Sequence, residues 1–230
     1  MSLFTPSSVA VIIPVFNEVR QIQHTIAPLL AAGYTVIAVD DHSTDGTEQV
    51  LKSLPVHMIR HVINLGQGAA LQTGMVYAQR LKVDYLVHFD ADGQHRCEDI
   101  PGMLEPLIRG EADVVLGSRF LRAEDRAAIP VLRKLLLRLA IRVNYLLTGV
   151  KLSDAHNGFR AFTQAAAKGI DLKENRMAHA TEILWQLRDN KLRIAEHPVH
   201  ISYTDYSRQK GQSSLNAFHI FMDLILRKLL

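Results

Sequence analysis

The apolar run "VDYLV" (83–87) leads without a break into "HFDADGQH" (88–95), which sets two carboxylates, Asp90 and Asp92, one residue apart. Two anions a few ångströms apart repel by about 1 kcal/mol in water and by several times that where solvent is scarce. Such a pair persists if it stays wet, if the two share a proton, or if a cation sits between them. On an extended segment side chains alternate with period two, so Asp90, Asp92 and Gln94 would point the same way. His95 reads either as a phosphate contact or as a structural histidine beside a turn.

The elements that must position this pair alternate in period. "VAVIIPVF" (9–16), "TVIAVD" (35–40), "VHMIRHV" (56–62), "DYLVHFD" (84–90) and "ADVVLGS" (112–118) are short β-branched runs. Continuous apolar strands of this kind suit a sheet covered on both faces. Helical candidates lie between them at 18–32, 44–54, 68–81 and 98–109, the first with Ile22, Ile26 and Leu29 on one face. Strands alternating with helices imply βαβ units and an α/β, mostly parallel open sheet flanked by helices. Ligands of such sheets bind beyond the carboxyl ends of the strands. There the sequence places "PVFNE" (14–18), "VDDHSTDGT" (39–47), "NLGQGAALQTG" (64–74), "DADGQH" (90–95) and "GSRF" (117–120), which makes one rim polar. Asp45 and Thr47 read as helix caps, and the glycines of 64–74 read either as a phosphate cradle or as room for close packing.

Composition narrows the class. The 230 residues are 48% hydrophobic and 21% charged, as in an ordinary globular protein large enough for a substantial core. A net charge of +3 is too small to argue for nucleic acid. The single Cys97 excludes an internal disulfide framework and suits a reducing compartment. The start "MSLFTPSSVAVIIPVFNE" lacks the basic region of a signal peptide, and no stretch approaches the roughly 20 apolar residues of a membrane span. The chain is therefore expected to be cytoplasmic. A dinucleotide-binding oxidoreductase is disfavoured, because no G-x-G-x-x-G follows the first strand. The eleven histidines show no zinc-ligand spacing.

Seven motifs, "PVFNE", "VDDHSTDGT", "NLGQGAAL", "DADGQH", "GSR", "DAHNGFRAF" and "SRQKGQSS", stand in the order of the family 2 glycosyltransferases. Over roughly residues 8–215 the chain resembles that family, and within it the dolichyl- and polyprenyl-phosphate sugar transferases. The resemblance implies a GT-A (Rossmann-like) fold in one domain. Residues 8–120 would be its nucleotide-sugar half, 121–215 its acceptor half and 215–230 a C-terminal amphipathic helix. It also implies Mg²⁺ or Mn²⁺ on Asp90, Asp92 and Gln94, with Asp92 the principal ligand, gripping the diphosphate of a nucleotide-sugar. Pro14, Phe16, Glu18 and Ala91 would line the donor pocket. Asp41, or Asp40 one residue earlier, would contact the base. Arg208 and Ser213 match an R-x-x-G-x-S loop over the donor, where Ser214 stands in place of a common Lys. Gln67 likewise stands where many relatives carry Lys. The resemblance implies a donor of the GDP-mannose or UDP-glucose type, with other UDP- or dTDP-sugars left open.

Two acceptors remain open. A sugar hydroxyl needs a general base, for which Asp154 and Glu182 are the candidates. A polyprenyl phosphate is already an anion and needs cations instead, which Arg119, Arg133 and Arg138 would supply. Arg160 is either a ligand contact or the internal partner of Asp154. "PVLRKLLLRLAIRVNYLLTG" (130–149) carries Lys134, Arg138 and Arg142 as a basic stripe on an apolar helix, which reads as lying on a membrane surface. "LNAFHIFMDLILRKLL" (215–230) is a second amphipathic stretch, for the membrane, the domain itself or a second subunit in a homodimer. Taken with the inverting, metal-dependent chemistry that the resemblance implies, these features favour transfer to polyprenyl phosphate at the inner face of the membrane. The alternatives are transfer to a saccharide hydroxyl and, more remotely, a silent nucleotide-sugar-binding scaffold.

Overall fold

The computed structural model describes residues 4–121, 141–142, 145–146, 148–154, 157–176 and 178–202. Its centre is one seven-stranded sheet of β1 (Val9–Val15), β2 (Thr35–Asp40), β3 (His57–Arg60), β4 (Tyr85–His88), β5 (Val114–Ser118), β6 (Arg160–Thr163) and β7 (Ile194–Pro198), in the order β3-β2-β1-β4-β6-β5-β7. The pairs β1–β2, β1–β4, β2–β3 and β5–β7 are parallel, whereas β6 runs antiparallel to both β4 and β5. The five expected strands form within a residue or two of their apolar runs. Strands β6 and β7 were not among those expected, because "RAFT" and "IAEHP" are short and each holds a charged residue.

Helices cover both faces of the sheet. Helices α1 (Ile22–Ala31), α2 (Thr47–Lys52) and α4 (Ile100–Ile108) pack on one side. Their Ile22, Ile26, Leu29, Leu51 and Met103 meet Val9, Val11, Ile13 and Val87. Helices α3 (Gln67–Ala78), α5 (Gln164–Lys168) and α6 (His179–Asp189) pack on the other. There Leu71, Met75, Ile183 and Leu187 meet Ala10, Ile12, Ile37 and Leu86. Odd and even positions of β1 thus serve opposite layers, which is why its sequence is apolar throughout rather than alternating.

This topology fixes where a ligand can sit. The chain leaves β1 for β2 on one side and returns as β4 on the other, so β1 and β4 flank a switch point. The last β1–β4 partners are Ile12 and His88. Pro14 lies just past them, where the ladder has ended and no N–H is needed. The segments Phe16–Glu18 and Asp90–Asp92 then leave the two strands on either side of the resulting crevice. No described helix is long and apolar enough to cross a membrane.

Candidate active site

The first wall of the crevice is a pair of loops laced together. Asn17 N–H donates to Ser43 Oγ at 2.9 Å, and Thr44 N–H donates to Asn17 Oδ1 at 2.8 Å. Glu18 N–H donates to Thr47 Oγ1, and Val19 N–H to Asp45 Oδ2. Asn17 and His42 hold positive φ of 54° and 65°, a conformation uncommon outside glycine that tends to gather at functional sites. Asp45 and Thr47 therefore tie loop to loop as well as opening α2. Phe16 is left 43% exposed at the crevice edge, while Glu18 is buried.

Asp40 and Asp41, expected at the base, are both buried and engaged with the loops that wall the crevice. Asp40 is fully buried, accepts from Ser43 N–H at 2.9 Å and faces Arg60 at 3.5 Å. Asp41 accepts from His61 Nδ1 and Leu65 N–H at 2.8 Å and from Gly66 N–H at 2.6 Å. His61 Nε2 in turn pairs with Thr73 Oγ1 at 2.9 Å. The two carboxylates hold the loops that follow β2 and β3, with Asp40 Oδ2 left without a hydrogen bond among the described residues.

The glycines of 64–74 make room for chain. A Cβ on Gly68 would fall within 2.1 Å of the Glu174 carbonyl oxygen, and the Asn175 carbonyl accepts from Gly68 and Ala69 N–H at 2.8 and 3.3 Å. The first turn of α3 is thus capped by the 171–176 segment, which corrects the phosphate-cradle alternative. That segment is held by Glu182, whose carboxylate accepts from Lys173 N–H at 2.8 Å and Glu174 N–H at 2.9 Å. Glu182 is 9% exposed and fully employed in this support, so it is not placed as a general base.

The acid pair does not lie on an extended segment. Strand β4 stops at His88, and the chain turns through 91–93 with Gly93 at φ 74°. The turn gives the two acids different surroundings. Asp90 accepts from Gln67 Nε2 at 3.1 Å and from His95 Nε2 at 3.0 Å. His95 is itself packed against Phe89 and Phe159. Asp92 Oδ1 accepts from the Gln94 N–H at 3.0 Å, and its Oδ2 has no hydrogen bond among the described residues. Burial works against charge on Asp90, but the bond and charge of His95, with Arg160 and His179 behind, hold its carboxyl below the ordinary value. Burial, then the charges of Asp90 and Glu18, push Asp92 up despite the Gln94 N–H. Asp90, Asp92 and Glu18 therefore concentrate negative charge at the crevice floor, with one carboxylate oxygen unclaimed. This donor set fits a hard divalent cation that takes two carboxylates and completes its shell with phosphate and water. No group of three or more His, Cys, Asp or Glu among the described residues could hold a metal on protein ligands alone. Gln94 is bound here through its backbone, by its N–H to Asp92 and by its carbonyl to Ser202 N–H. The Ala91 carbonyl accepts from Thr25 Oγ1 at 2.9 Å and fixes the turn to α1.

Beyond β5, Arg119 grips Asp154 rather than standing as an isolated cation. Its Nε and Nη2 donate to the two carboxylate oxygens at 2.6 and 2.8 Å. Glu196 of β7 supports the same turn, accepting from Ser153 N–H and Oγ, both at 2.8 Å. Arg160, considered as the partner of Asp154, lies in β6 directly across from His88 and is 2% exposed. Arg133, Arg138, Arg208 and Ser213, and the stretch 215–230, lie outside the described residues. Sequence reasoning missed that Gln67, His95 and Gly158 converge on Asp90. The one local signal was the glycine in "NGFR": a Cβ on Gly158 would sit 2.6 Å from Asp90 Oδ2.

Comparison with known proteins agrees with this architecture. Residues 10–170 match the family model described as "Glycosyl transferase family 2". The chain is 32% identical to the UDP-N-acetylglucosamine–dolichyl-phosphate N-acetylglucosaminyltransferase of Methanococcus voltae, over 95% of each chain. It is 29% identical to the undecaprenyl-phosphate mannosyltransferase of Micrococcus luteus, over 90% of this chain and 87% of that one. Its fold is similar to that of glucosyl-3-phosphoglycerate synthase from Mycobacterium tuberculosis, with a TM-score of 0.63 at 21% identity, covering 86% of this chain and 72% of the other. A crevice at the sheet's switch point, floored by the acid pair of a GT-A fold, belongs here to an enzyme of glycosyl transferase family 2.

Proposed function

We propose that the chain moves one sugar from a nucleoside-diphosphate donor to a polyprenyl phosphate, with inversion and with Mg²⁺ or Mn²⁺ at the acid pair. The observation that carries the acceptor is the employment of both base candidates. Asp154 is locked to Arg119, and Glu182 is locked to the 171–176 backbone. A carboxylate held by a bidentate arginine is a poor proton acceptor. An acceptor that arrives as an anion makes no such demand. The relatives from M. voltae and M. luteus are named for dolichyl and undecaprenyl phosphate, which supports the same reading. One of those names specifies a UDP-sugar and the other a mannosyl group, so the donor is proposed only as a nucleoside-diphosphate hexose.

In this reading Pro14, Phe16, Glu18 and Ala91 line the donor pocket, and Arg208 and Ser213 close over it. A divalent cation bound by Asp92, with Asp90 beside it, would supply Lewis-acid stabilisation of the charge on the departing diphosphate. Asp92 contributes the unclaimed oxygen, while Asp90 stays fixed by His95 and Gln67. Gln94 orients Asp92 through its N–H. Arg119, held in place by Asp154, directs positive charge toward the acceptor phosphate, with Arg133 and Arg138 as further cations. We place the protein at a membrane surface through its basic stripe. Near that stripe's end, Tyr145 and Leu146 are 49% and 80% exposed, beside exposed Arg142.

Calorimetry with UDP and GDP, with and without Mn²⁺, followed by transfer assays on polyprenyl phosphate and on free sugars, tests the proposal. Mn²⁺-enhanced binding of one nucleotide and transfer to the lipid phosphate are expected. Transfer to sugar hydroxyls alone would replace the acceptor, and nucleotide binding indifferent to metal would remove the cation. Co-flotation with anionic liposomes is expected, and its loss on substituting Lys134, Arg138 and Arg142 with Gln would localise the attachment.

A further inference from the structure

Among the described residues, seven buried side-chain atoms lack a hydrogen bond, and five of them lie in the two segments that flank Asp90. They are both ring nitrogens of His88, Nδ1 of His95, Nδ2 of Asn157 and Nη1 of Arg160. Native interiors pair nearly all such groups, so their concentration at one place calls for a cause. Arg160 is the costliest of them: it is a guanidinium in the middle of the sheet, 2% exposed, laddered to His88 on one side and Leu116 on the other. Two carboxylates lie within its electrostatic reach, Asp154 and Asp90. Asp154 is gripped at both oxygens by Arg119. Asp90 is the anion that remains, and the lead-in to β6 presses on it at Gly158.

A buried charge with so little local compensation is a poor stabiliser. An apolar side chain of similar volume often serves a core as well or better. Arg160 is therefore placed for something other than stability. We propose that Arg160 is a positioning residue for the acid pair: from β6 it pins the Asp90 carboxylate against His95, Gln67 and the Gly158 backbone, leaving Asp92 as the acid that meets the cation and diphosphate of the donor. This inference rests on the metal-dependent reading of the site. Arg160 acts through Asp90 and touches no substrate.

The test uses Arg160→Met, Arg160→Lys and Asp92→Ala in the full chain. It reads the melting temperature together with calorimetric affinity for Mn²⁺ alone and for UDP and GDP with Mn²⁺. Arg160→Met is expected to stay folded and to melt within about 5 °C of the unmodified protein, since Asp90 keeps its bonds to His95 and Gln67. Its Mn²⁺-dependent affinity is expected to fall about 10- to 100-fold, the usual cost of removing a residue that orients a metal ligand. Arg160→Lys, which keeps the charge, should recover part of that loss. Unchanged affinity in Arg160→Met would overturn the role, as would a loss of affinity only in proportion to a loss of folded protein. If Arg160→Met does not fold, Arg160→Gln takes its place under the same criteria. Asp92→Ala separates the two levels. If it loses binding while the Arg160 variants keep theirs, only this inference fails; if it binds Mn²⁺ and nucleotide normally, or the unmodified chain takes up no Mn²⁺, the reading beneath it fails as well.

Discussion

Arg119 closes on Asp154 through two parallel hydrogen bonds, Nε to Oδ2 at 2.6 Å and Nη2 to Oδ1 at 2.8 Å, and its backbone N–H reaches Oδ2 at 3.1 Å. The carboxylate side chain is 2% exposed and the guanidinium side chain 32%. Removing the arginine strands the more buried partner, so Arg119→Met should destabilise more than Asp154→Asn. We expect about 2–4 kcal/mol for the former, below the cost for a wholly buried pair because solvent reaches the arginine. In a chain of this size that lowers the melting temperature by roughly 5–10 °C. Thermal denaturation of both single variants and the double variant measures the coupling, which should exceed about 1 kcal/mol.

Asp92→Ala tests the acid pair from the other side. The substitution gives up one hydrogen bond, to Gln94 N–H, and relieves repulsion from Asp90 and Glu18. The melting temperature should stay within about 2 °C of the unmodified protein, since the two effects oppose one another. Sugar transfer and Mn²⁺-enhanced nucleotide binding should both disappear. Full transfer in this variant would remove the cation from Asp92.

Glu182→Ala should read as a stability lesion that spreads toward the site. It leaves the N–H groups of Lys173 and Glu174 without their acceptor and loosens the segment that caps α3. Two such donors cost about 2–4 kcal/mol together. Because Gln67 opens α3 and donates to Asp90, the donor KM should rise while kcat in the folded fraction changes less. Glu182→Gln keeps one acceptor oxygen and should lie between. A collapse of kcat in Glu182→Gln at unchanged melting temperature would restore its candidacy as a base.

The parts of this site that were legible in the sequence are those encoded locally. Strands β1 to β5 announce themselves as β-branched runs, and turn residues at their ends mark the polar rim. The acid pair is visible because two carboxylates at the end of an apolar strand need a reason. What stayed hidden depends on distant neighbours. Nothing near Asp41 shows that Leu65 and Gly66 will claim it, and nothing near Glu182 shows that it supports Lys173 and Glu174. The extended reading of 90–94 failed at Gly93, a glycine whose positive φ turns the chain there. "RAFT" hid β6 because four residues carry too little periodicity to outweigh an arginine.

Stability toward acid should depend on a pair far from the crevice. Arg193 donates Nε and Nη2 to the Asp113 carboxylate at 3.0 and 2.8 Å, joining the starts of β5 and β7, and these bonds hold Asp113 below its ordinary value of 3.8. A depressed folded-state value means that the contribution is fully present above pH 3.8. It is lost as the pH falls through the lower folded value. The stability gap between the unmodified protein and Asp113→Asn should therefore close on acidification below that point. Acid titrations followed by circular dichroism check it, and a gap that widened there would reverse the sign.

The antiparallel strand has a consequence for how the molecule is made. Among the described residues strand β5 pairs only with β6 and β7, both of which come later in the chain, and β4 has an open edge until β6 arrives. While translation has passed residue 118 but not yet delivered 160–163, the emerging polypeptide carries an uncovered hydrophobic ribbon and a strand with no ladder. Truncation near residue 120 should thus yield an aggregating fragment rather than a free-standing nucleotide-binding module, and the halves should melt together in one transition.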